Sequence, residues 1–351
     1  MTRECDTRWR LLRLLADGRF HSGSALAGQL GVSRAAVWKQ KQALEDLGLR
    51  VQAVRGRGYR VSPPIELFDR SRLGRFAGEL AGAERALGVE VVMTTDSSNA
   101  QLWREVDSGQ VVDGHFLLAE MQQAGRGRRG RTWQSPPARN LYLSHYRRLD
   151  CDPMRLNGLS LAVGAGLADA LRARLTAHGT DAVSGAIAAA KELGVKWPND
   201  LVVQGRKLGG LLIELRGQAG GPVDVIVGVG INVEMDAAAA AAIDQPWIDL
   251  ASLVGGGSAM NMPVSRNAIA EWVMTALWEI VERFMAGGFE AFAVQWARLD
   301  VLRGKAVTVH QGNGDVSGVA LGVTDSGSLR VQVGDGERVF SSGEVSVRVR
   351  P

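Results

Sequence analysis

The sequence predicts an α+β protein built from three regions, and three observations predict it. Residues 1–62 hold three short helical patterns followed by a basic hairpin. Residues 63–301 mix apolar strands with amphipathic helices around one glycine–arginine loop. From residue 302 the pattern turns to short alternating strands separated by glycine turns. Domain boundaries are expected at those breaks: 1–62, 63–301 and 302–351.

The 351 residues suffice for two or three domains, and 46% hydrophobic residues mark a globular chain rather than a disordered one. A net charge of only +4 confines any nucleic-acid contact to a local patch. Cys5 and Cys151 have neither CxxC spacing nor a histidine cluster, so no disulfide framework and no resident metal site is expected. That usage fits a reducing cytoplasm. No apolar run reaches membrane-spanning length and no signal-peptide core is seen, so a cytoplasmic protein without membrane contact is expected.

Trp9 to Ala16 reads as a helix stopped by Gly18. Ser22 or Ser24 can cap a second helix through Leu30. Gly31-Val32-Ser33 is a tight turn, with Ser33 as N-cap of a third helix, Arg34 to Leu47, ended by Gly48. Two helices joined by such a turn make a helix-turn-helix pattern. Ala36, Val37, Ala43, Leu44 and Leu47 can face inward. Arg34, Trp38, Lys39 and Lys41 gather near the end that enters a major groove, beside Ser33. Leu49 to Val54 and Tyr59 to Val61 flank the tip Arg55-Gly56-Arg57-Gly58. This is a winged hairpin whose Arg55 and Arg57 can reach phosphates or a minor groove. A helical dimerisation module is the competing reading; basic residues on both elements favour DNA. Ser62-Pro63-Pro64 reads as a linker.

In the central region Val89 to Met93 reads as a strand leading into Thr95-Asp96-Ser97-Ser98-Asn99 and a helix, Ala100 to Val106. Each small polar residue there is most simply a helix cap; together they suit a polar ring or urea-like ligand. His115 to Met121 is a buried strand. It feeds the loop Gln122-Gln123-Ala124-Gly125-Arg126-Gly127-Arg128-Arg129-Gly130-Arg131-Thr132-Trp133, followed by the turn Gln134-Ser135-Pro136-Pro137 and a strand, Asn140 to Arg148. Arginine forks match phosphate and carboxylate oxygens, and glycine lets backbone approach a ligand. No Gly-Lys-Ser/Thr follows, so this is not a Walker loop. A solvated basic loop that adheres to nucleic acid is the plainer reading; the strand before it and Trp133 after it favour a ligand loop.

Leu156 to His178 is a core helix. Gly194 to Asp200 ends a strand in Lys196-Trp197-Pro198-Asn199-Asp200, which sets a cation and a carboxylate at one terminus. Leu201 to Val203 and Lys207 to Leu215 make a hairpin through Gln204-Gly205-Arg206. Lys207, Gly209, Leu211 and Ile213 alternate onto one side, like a channel for an aliphatic chain with a carboxylate at its end; an ordinary edge strand fits as well. Val223 to Val233 places Gly228, Gly230 and Asn232 on one face, where glycines mark close approach of a flat group. A nucleotide base and a neighbouring helix are the two candidates. Asn267 to Ala286 and Phe289 to Leu299 are helices. Val307 to His310, Gly318 to Val323, Leu329 to Val333 and Val345 to Val349 suggest a small β-barrel.

Five motifs stand in the order found in biotin–protein ligases: Asp96 to Asn99, Gly125 to Arg131, Lys196 to Asp200, Arg206-Lys207-Leu208-Gly209-Gly210 and Gly228 to Asn232. With the winged helix, the chain resembles the bifunctional form that is both biotin ligase and biotin-operon repressor. The resemblance implies a central mixed sheet related to class II aminoacyl-tRNA synthetases and an SH3-like C-terminal barrel. It implies biotin and ATP with Mg2+, formation of biotinyl-5′-AMP, and transfer to a lysine of a biotin carboxyl carrier protein. Operator DNA and a ligand-promoted homodimer are the other implied partners.

By the same resemblance, Ser97, Ser98, Asn99 and Gln122 would bind the ureido end of biotin. Gly125, Arg126, Gly127 and Arg128 would wrap its tail and the phosphate. Lys207 would hold the carboxyl end and Lys196 the α-phosphoryl charge. Arg131, Trp133 and Asn232 would sit on the nucleotide side together with Arg128, and Asp200 would orient or deprotonate the incoming amine. The glycine–arginine loop is expected to be mobile without ligand. Ser341 to Val345 departs from a Gly-Gly-Glu version of that turn, and Ala237 to Pro246 reads as a variable insertion. A lipoate–protein ligase, a non-catalytic ligand-sensing regulator and an RNA-binding protein are the rival readings.

Overall fold

The structure is a computed structural model. It describes residues 7–82, 87–178, 190–218, 220–254, 264–312, 314–342 and 345–349. Cys5 and the Gly343-Glu344 part of the C-terminal turn lie outside them. The chain forms two compact units: Met1–Ser144 with Gly228–Asp244 and Asp249–Glu271, and His145–Val227 with Gln245–Ile248 and Trp272–Pro351.

The first unit opens with α1 (Thr7–Leu15), α2 (Gly23–Leu30) and α3 (Arg34–Glu45), followed by β1 (Val51–Val54) and β2 (Gly58–Val61). The expected caps form. Ser22 Oγ accepts from the Ala25 N–H at 3.1 Å and Ser33 Oγ from the Ala36 N–H at 3.2 Å. Gly31 ends α2 in the left-handed conformation. Leu11, Leu12, Leu15, Leu26, Val37 and Leu44 are buried, each contributing about 1.5–3 kcal/mol of burial free energy. β1 and β2 pair antiparallel, Val51 with Val61 and Val54 with Gly58, which leaves the basic tip between them.

The linker is packed rather than a loose tether. Pro64 lies against Gly18, and the Ile65 N–H donates to the Ala16 carbonyl at 3.1 Å. Ile65 belongs to the winged-helix core, which continues to Ala138, with Met93 and Met121 packed on it.

The unit continues with α4 (Arg70–Ala81), β3 (Val89–Val92), α5 (Ser98–Asp107) and β4 (Phe116–Ala119). β3 and β4 are parallel, Val89 opposite Phe116 and Val92 opposite Ala119. Phe116 to Ala119 are all buried, which explains the unbroken apolar run. β5 (Leu141–Leu149), β6 (Leu193–Lys196), β7 (Asp200–Val203), β8 (Arg206–Gly217) and β9 (Val223–Ile231) complete a seven-stranded mixed sheet in the order β3-β4-β5-β9-β8-β7-β6.

In the second unit β6, β7 and β8 form an antiparallel meander. Gln204 and Gly205 both have positive φ, the two-residue turn that matches strand twist, so Arg206 already belongs to β8. The expected alternation along β8 does not hold. Leu201 pairs with Gly209 and Val202 with Lys207, so Leu208 is an extra, fully buried residue of a bulge. Lys207 therefore does not lead an unbroken row through Gly209, Leu211 and Ile213.

α6 (Leu159–His178), α7 (Arg266–Gly287) and α8 (Glu290–Leu299) supply the long helices. In the second unit Asp169 on α6 accepts from Gln295 on α8 at 2.6 Å and pairs with Arg298. The C-terminal strands β10 (Ala306–Gln311), β11 (Gly314–Val323), β12 (Leu329–Val333), β13 (Gly336–Phe340) and β14 (Ser346–Val349) make an SH3-like antiparallel sheet ordered β13-β12-β11-β10-β14. β13 escaped the sequence pattern because Gly336 to Val339 are exposed. It is an edge strand, tied to β12 by the Arg330–Glu337 ion pair at 2.7 Å. Trp197, after β6, is buried and donates from Nε1 to the Gly327 carbonyl at 3.0 Å.

Candidate functional site

In the first unit, β3 and β4 end side by side and deliver two segments to one place. The Thr95 N–H donates to Met121 O at 3.2 Å, Gln123 N–H to Thr95 O and Ala124 N–H to Asp96 O, each at 2.8 Å. Ser97 sits at the N-cap of α5 but makes no side-chain cap bond. The Ser98 N–H instead donates to Gln122 Oε1 at 2.8 Å, and Gln122 Nε2 donates to Ser135 Oγ at 3.0 Å. Ser144 Oγ reaches both Ser98 Oγ, at 2.8 Å, and Asn99 Oδ1, at 2.6 Å. Ser97, Ser98, Asn99 and Ser144 are buried. The result is a shelf of hydroxyl and amide groups fixed by one another, a surface able to bind a neutral polar ring.

Asp96 stands behind this shelf. Arg104 on α5 donates to both of its oxygens, at 2.8 and 2.9 Å, and the Ser97 N–H and Thr95 Oγ1 add two more bonds. The Arg104 guanidinium, followed by these hydrogen bonds, holds the Asp96 carboxyl well below the usual carboxylate range, against the effect of burial. Asp96 thus fixes the turn.

The glycine–arginine loop folds back on itself. Trp133 N–H donates to Gly125 O at 2.8 Å, Gly127 N–H to Arg131 O at 2.7 Å, and Arg126 bridges Thr132. A Cβ on Gly125 would lie 2.5 Å from Trp133 O and 2.7 Å from Ser135 Oγ, so the hairpin closes only with glycine there. Ser135 Oγ donates to Trp133 O at 3.0 Å, and the buried Tyr142 hydroxyl holds Pro136 O at 3.0 Å. Arg128 to Gly130 form one 3-10 turn with Arg129 in the left-handed region. Arg126, Arg129 and Arg131 are exposed, and Arg128 is half-buried. The loop carries guanidinium and backbone N–H donors and no carboxylate, the chemistry of an anion cradle.

The two glycines of β9 have explicit neighbours. A Cβ on Gly228 would lie 2.4 Å from Asn99 Oδ1, and one on Gly230 would lie 2.6 Å from Trp133 Cε2. The flat groups against this strand are therefore the carboxamide at the start of α5 and an indole from the loop. The neighbouring helix fits Gly228, and the close protein neighbour of Gly230 is the loop indole. Asn232 is buried, and its carbonyl accepts from the Leu250 N–H at 3.0 Å.

In the second unit, Lys207 and Asp200 form an ion pair at 2.7 Å across β7 and β8. Lys196 opposes Asp200 in the β6–β7 register. The three residues predicted from separate motifs thus meet at one edge of that meander.

In the winged helix Trp38 is 57% exposed on α3, and Arg34, Lys39, Arg55 and Arg57 are exposed. Arg57 and Arg60 hold their guanidiniums 4.3 and 4.6 Å from the Phe20 ring centre, which stiffens the wing. The Ser33 hydroxyl oxygen already accepts the α3 cap bond, so its structural role is accounted for.

Comparison with known proteins decides the family. The chain is 35% identical over 339 residues to the bifunctional ligase/repressor BirA of Escherichia coli, covering 97% of this chain and 96% of that protein. This chain belongs to the biotin–protein ligase family. The family described as biotin/lipoate A/B protein ligase matches residues 91–232, an HTH domain matches 8–60, and the biotin protein ligase C-terminal domain matches 303–348. The biotin–[acetyl-CoA-carboxylase] ligase of Mycobacterium tuberculosis is 32% identical over 287 residues, 82% of this chain and 97% of that one. Among solved structures, the biotin protein ligase from Aquifex aeolicus in complex with biotin and ATP superposes with a TM-score of 0.58 at 24% identity. It covers 75% of this chain and 99% of its own, a likeness of fold.

Several residues that shape this part of the family fold had no sequence signal: Ser135, Ser144, Asn140 and Arg266. Their partners lie far along the chain, or their side chains look like ordinary strand residues. The sequence also gave no hint that Glu90, Glu105 and His115 each bring a donor atom within 4.8 Å of one another. Burial, with Arg70 nearby, pushes the His115 imidazole down to about 4, and burial raises the Glu105 carboxyl. No described helix is long and apolar enough to cross a membrane.

Proposed function

We propose that this chain is an ATP-dependent biotin–protein ligase and a biotinyl-5′-AMP-responsive repressor, with working regions 1–62, 63–301 and 302–351. The observation that carries the reading is the hydroxyl–amide shelf standing beside a carboxylate-free arginine loop, within a chain that matches a ligase/repressor end to end.

In the first step a biotin carboxylate oxygen attacks the α-phosphorus of ATP. A carbonyl–O–P bond forms, the bond to the β-phosphate oxygen breaks, and pyrophosphate leaves. Both reactants are anions, so fixed cations dominate the barrier. Ser97, Ser98, Asn99 and Gln122 bind the ureido ring. Gly125, Arg126, Gly127 and Arg128 wrap the valerate tail and phosphate. Lys207 meets the carboxyl end, Lys196 the α-phosphoryl oxygens, and Arg131, Trp133 and Asn232 the nucleotide side. Mg2+ arrives on ATP and neutralises its phosphates; a loop without carboxylates suits the triphosphate rather than the cation.

In the second step the carrier lysine amine attacks the mixed anhydride carbonyl. The amide C–N bond forms, the C–O bond to phosphate breaks, AMP leaves, and the amine gives up a proton. Asp200, whose Oδ1 pairs with Lys207 at 2.7 Å, can orient that amine or receive its proton. Binding of adenylate orders the arginine loop and promotes a homodimer. The dimer presents two winged helices to a two-fold operator, with Trp38, Arg34 and Lys39 in the major groove and Arg55 and Arg57 on the backbone or minor groove. The cytoplasm is the compartment that supplies these partners.

Pyrophosphate release from Mg-ATP tests the reading: it should require biotin and should not respond to lipoate. Release with lipoate alone would move the chain to the lipoate branch. No release with either would leave a ligand-sensing regulator.

A further inference from the structure

The loop from Met121 to Arg139 has two roots, Glu120 and Asn140, and one side chain outside every motif above touches both. Arg266 opens α7, behind the Ser265 cap on the Ala268 N–H at 3.1 Å. Its Nη2 donates to Glu120 Oε2 at 3.0 Å and to the Asn140 carbonyl at 2.9 Å. Its Nη1 donates to Glu120 Oε2 at 3.0 Å and to the Glu66 carbonyl. Phe68 lies under the guanidinium, 4.1 Å from its ring centre. Glu120 is fully buried and Arg266 is 3% exposed.

Each root is then tied onward. The Ala138 N–H donates to Glu120 O at 2.9 Å, and Asn140 Oδ1 accepts from the Val233 N–H at 2.9 Å. The strap that leaves the winged helix joins the same cluster. Phe68 N–H donates to Glu120 Oε1 at 2.5 Å, Arg266 N–H to Glu66 Oε2 at 2.6 Å, and Asn267 Nδ2 to Glu66 Oε1 at 2.6 Å.

A buried ion pair is a weak device for stability, because desolvation offsets most of the attraction. It is a strong device for geometry, because a planar fork with several acceptors has one orientation. We propose that Arg266 and Glu120 are positioning residues for the biotin site: they lock both roots of the arginine loop to each other and to the Glu66–Phe68 strap, so that Gln122 meets Ser98 and Gly125 meets Trp133. They touch neither substrate. The assignment of the loop to biotin rests on the function proposed above; the locking itself does not.

Two variants test it in the full chain. Arg266→Lys keeps the charge but replaces the fork by a point donor that cannot serve Glu120, Asn140 and Glu66 together. Glu120→Met with Arg266→Met replaces the pair by apolar groups, a change that buried pairs often tolerate. Hydrogen exchange is read first, without ligand. The hydrogen-bonded root amides of Gln123, Ala124 and Ala138 should exchange at least tenfold faster in either folded variant, while those of α6 stay unchanged. Steady-state kinetics follow: KM for biotin should rise about tenfold or more, with KM for the carrier protein within twofold of the parent. A merely structural role would lower the active fraction and leave KM alone. Unchanged exchange at those root amides overturns the proposal whatever the chain binds. Faster exchange in the variants, beside a parent protein that shows no biotin-dependent turnover, supports the lock and removes the ligase reading instead. If the double variant does not fold, Arg266→Lys alone decides.

Discussion

Gly230→Ala perturbs the site by one methyl group. The new Cβ would stand 2.6 Å from Cε2 of Trp133 and 2.8 Å from both Cζ2 and Nε1. Unstrained heavy-atom contacts begin near 3.5 Å, so the indole must retreat by about 0.7–0.9 Å. The β9 backbone cannot yield cheaply, because Val229 and Ile231 on either side are buried. Overpacking of this kind costs about 1–3 kcal/mol, and replacing glycine within a strand returns about 0.5–1 kcal/mol. The melting temperature should therefore move little. A displaced Trp133 should weaken transition-state binding of ATP by about 1.4–2.7 kcal/mol, a fall of about 10–100-fold in kcat/KM for pyrophosphate release. The assay is a double-mutant cycle with Trp133→Ala, which empties the space the methyl enters. In that background Gly230→Ala should have almost no further effect. An equal loss in both backgrounds would refute the steric reasoning, and parent-like kinetics for Gly230→Ala would remove Trp133 from the nucleotide side.

Arg126→Ala and Lys196→Ala should each lower adenylate formation by at least about 100-fold while shifting the melt by only a few degrees, checked by pyrophosphate release beside calorimetry; comparable losses of folding would oppose the assigned roles. Asp96 is held below its ordinary 3.8 when folded, so its ionised form adds stability above about pH 5, and the gain disappears as pH falls through the folded value. The pair is half exposed, so the gap between the parent and Asp96→Asn should be only about 1 kcal/mol, flat from about pH 8 to 5 and closing under stronger acid in urea titrations. Arg55→Ala on the wing should reduce the slope of log K against log salt for operator binding by about 0.9, one phosphate contact; an unchanged slope would place the wing off the DNA.

Local chemistry was legible. Ser22 and Ser33 announce helix starts because a side-chain oxygen must satisfy an early N–H. Phe116 to Ala119 announce a strand covered on both faces. The loop announces itself by glycines that tolerate backbone proximity and arginines that want anions. Long-range fits were not legible. Nothing near residue 120 reveals that Arg266 will meet it, because charge pairing across such a separation leaves no period in the sequence. Leu208 broke an alternation that reads cleanly in one dimension, since a bulge depends on the partner strand. Gly228 and Gly230 signalled close approach, but the identity of the approaching groups belonged to other segments, Asn99 and Trp133. The Asp200–Lys207 pair was likewise hidden between two motifs read apart.

The most direct measurement is the intact mass of a biotin carboxyl carrier domain after incubation with this chain, biotin and Mg-ATP. The acceptor should gain one biotin less one water at its single target lysine, with AMP and pyrophosphate formed in equal amounts. An acceptor of unaltered mass, under conditions where an authentic ligase labels it completely, would contradict the account.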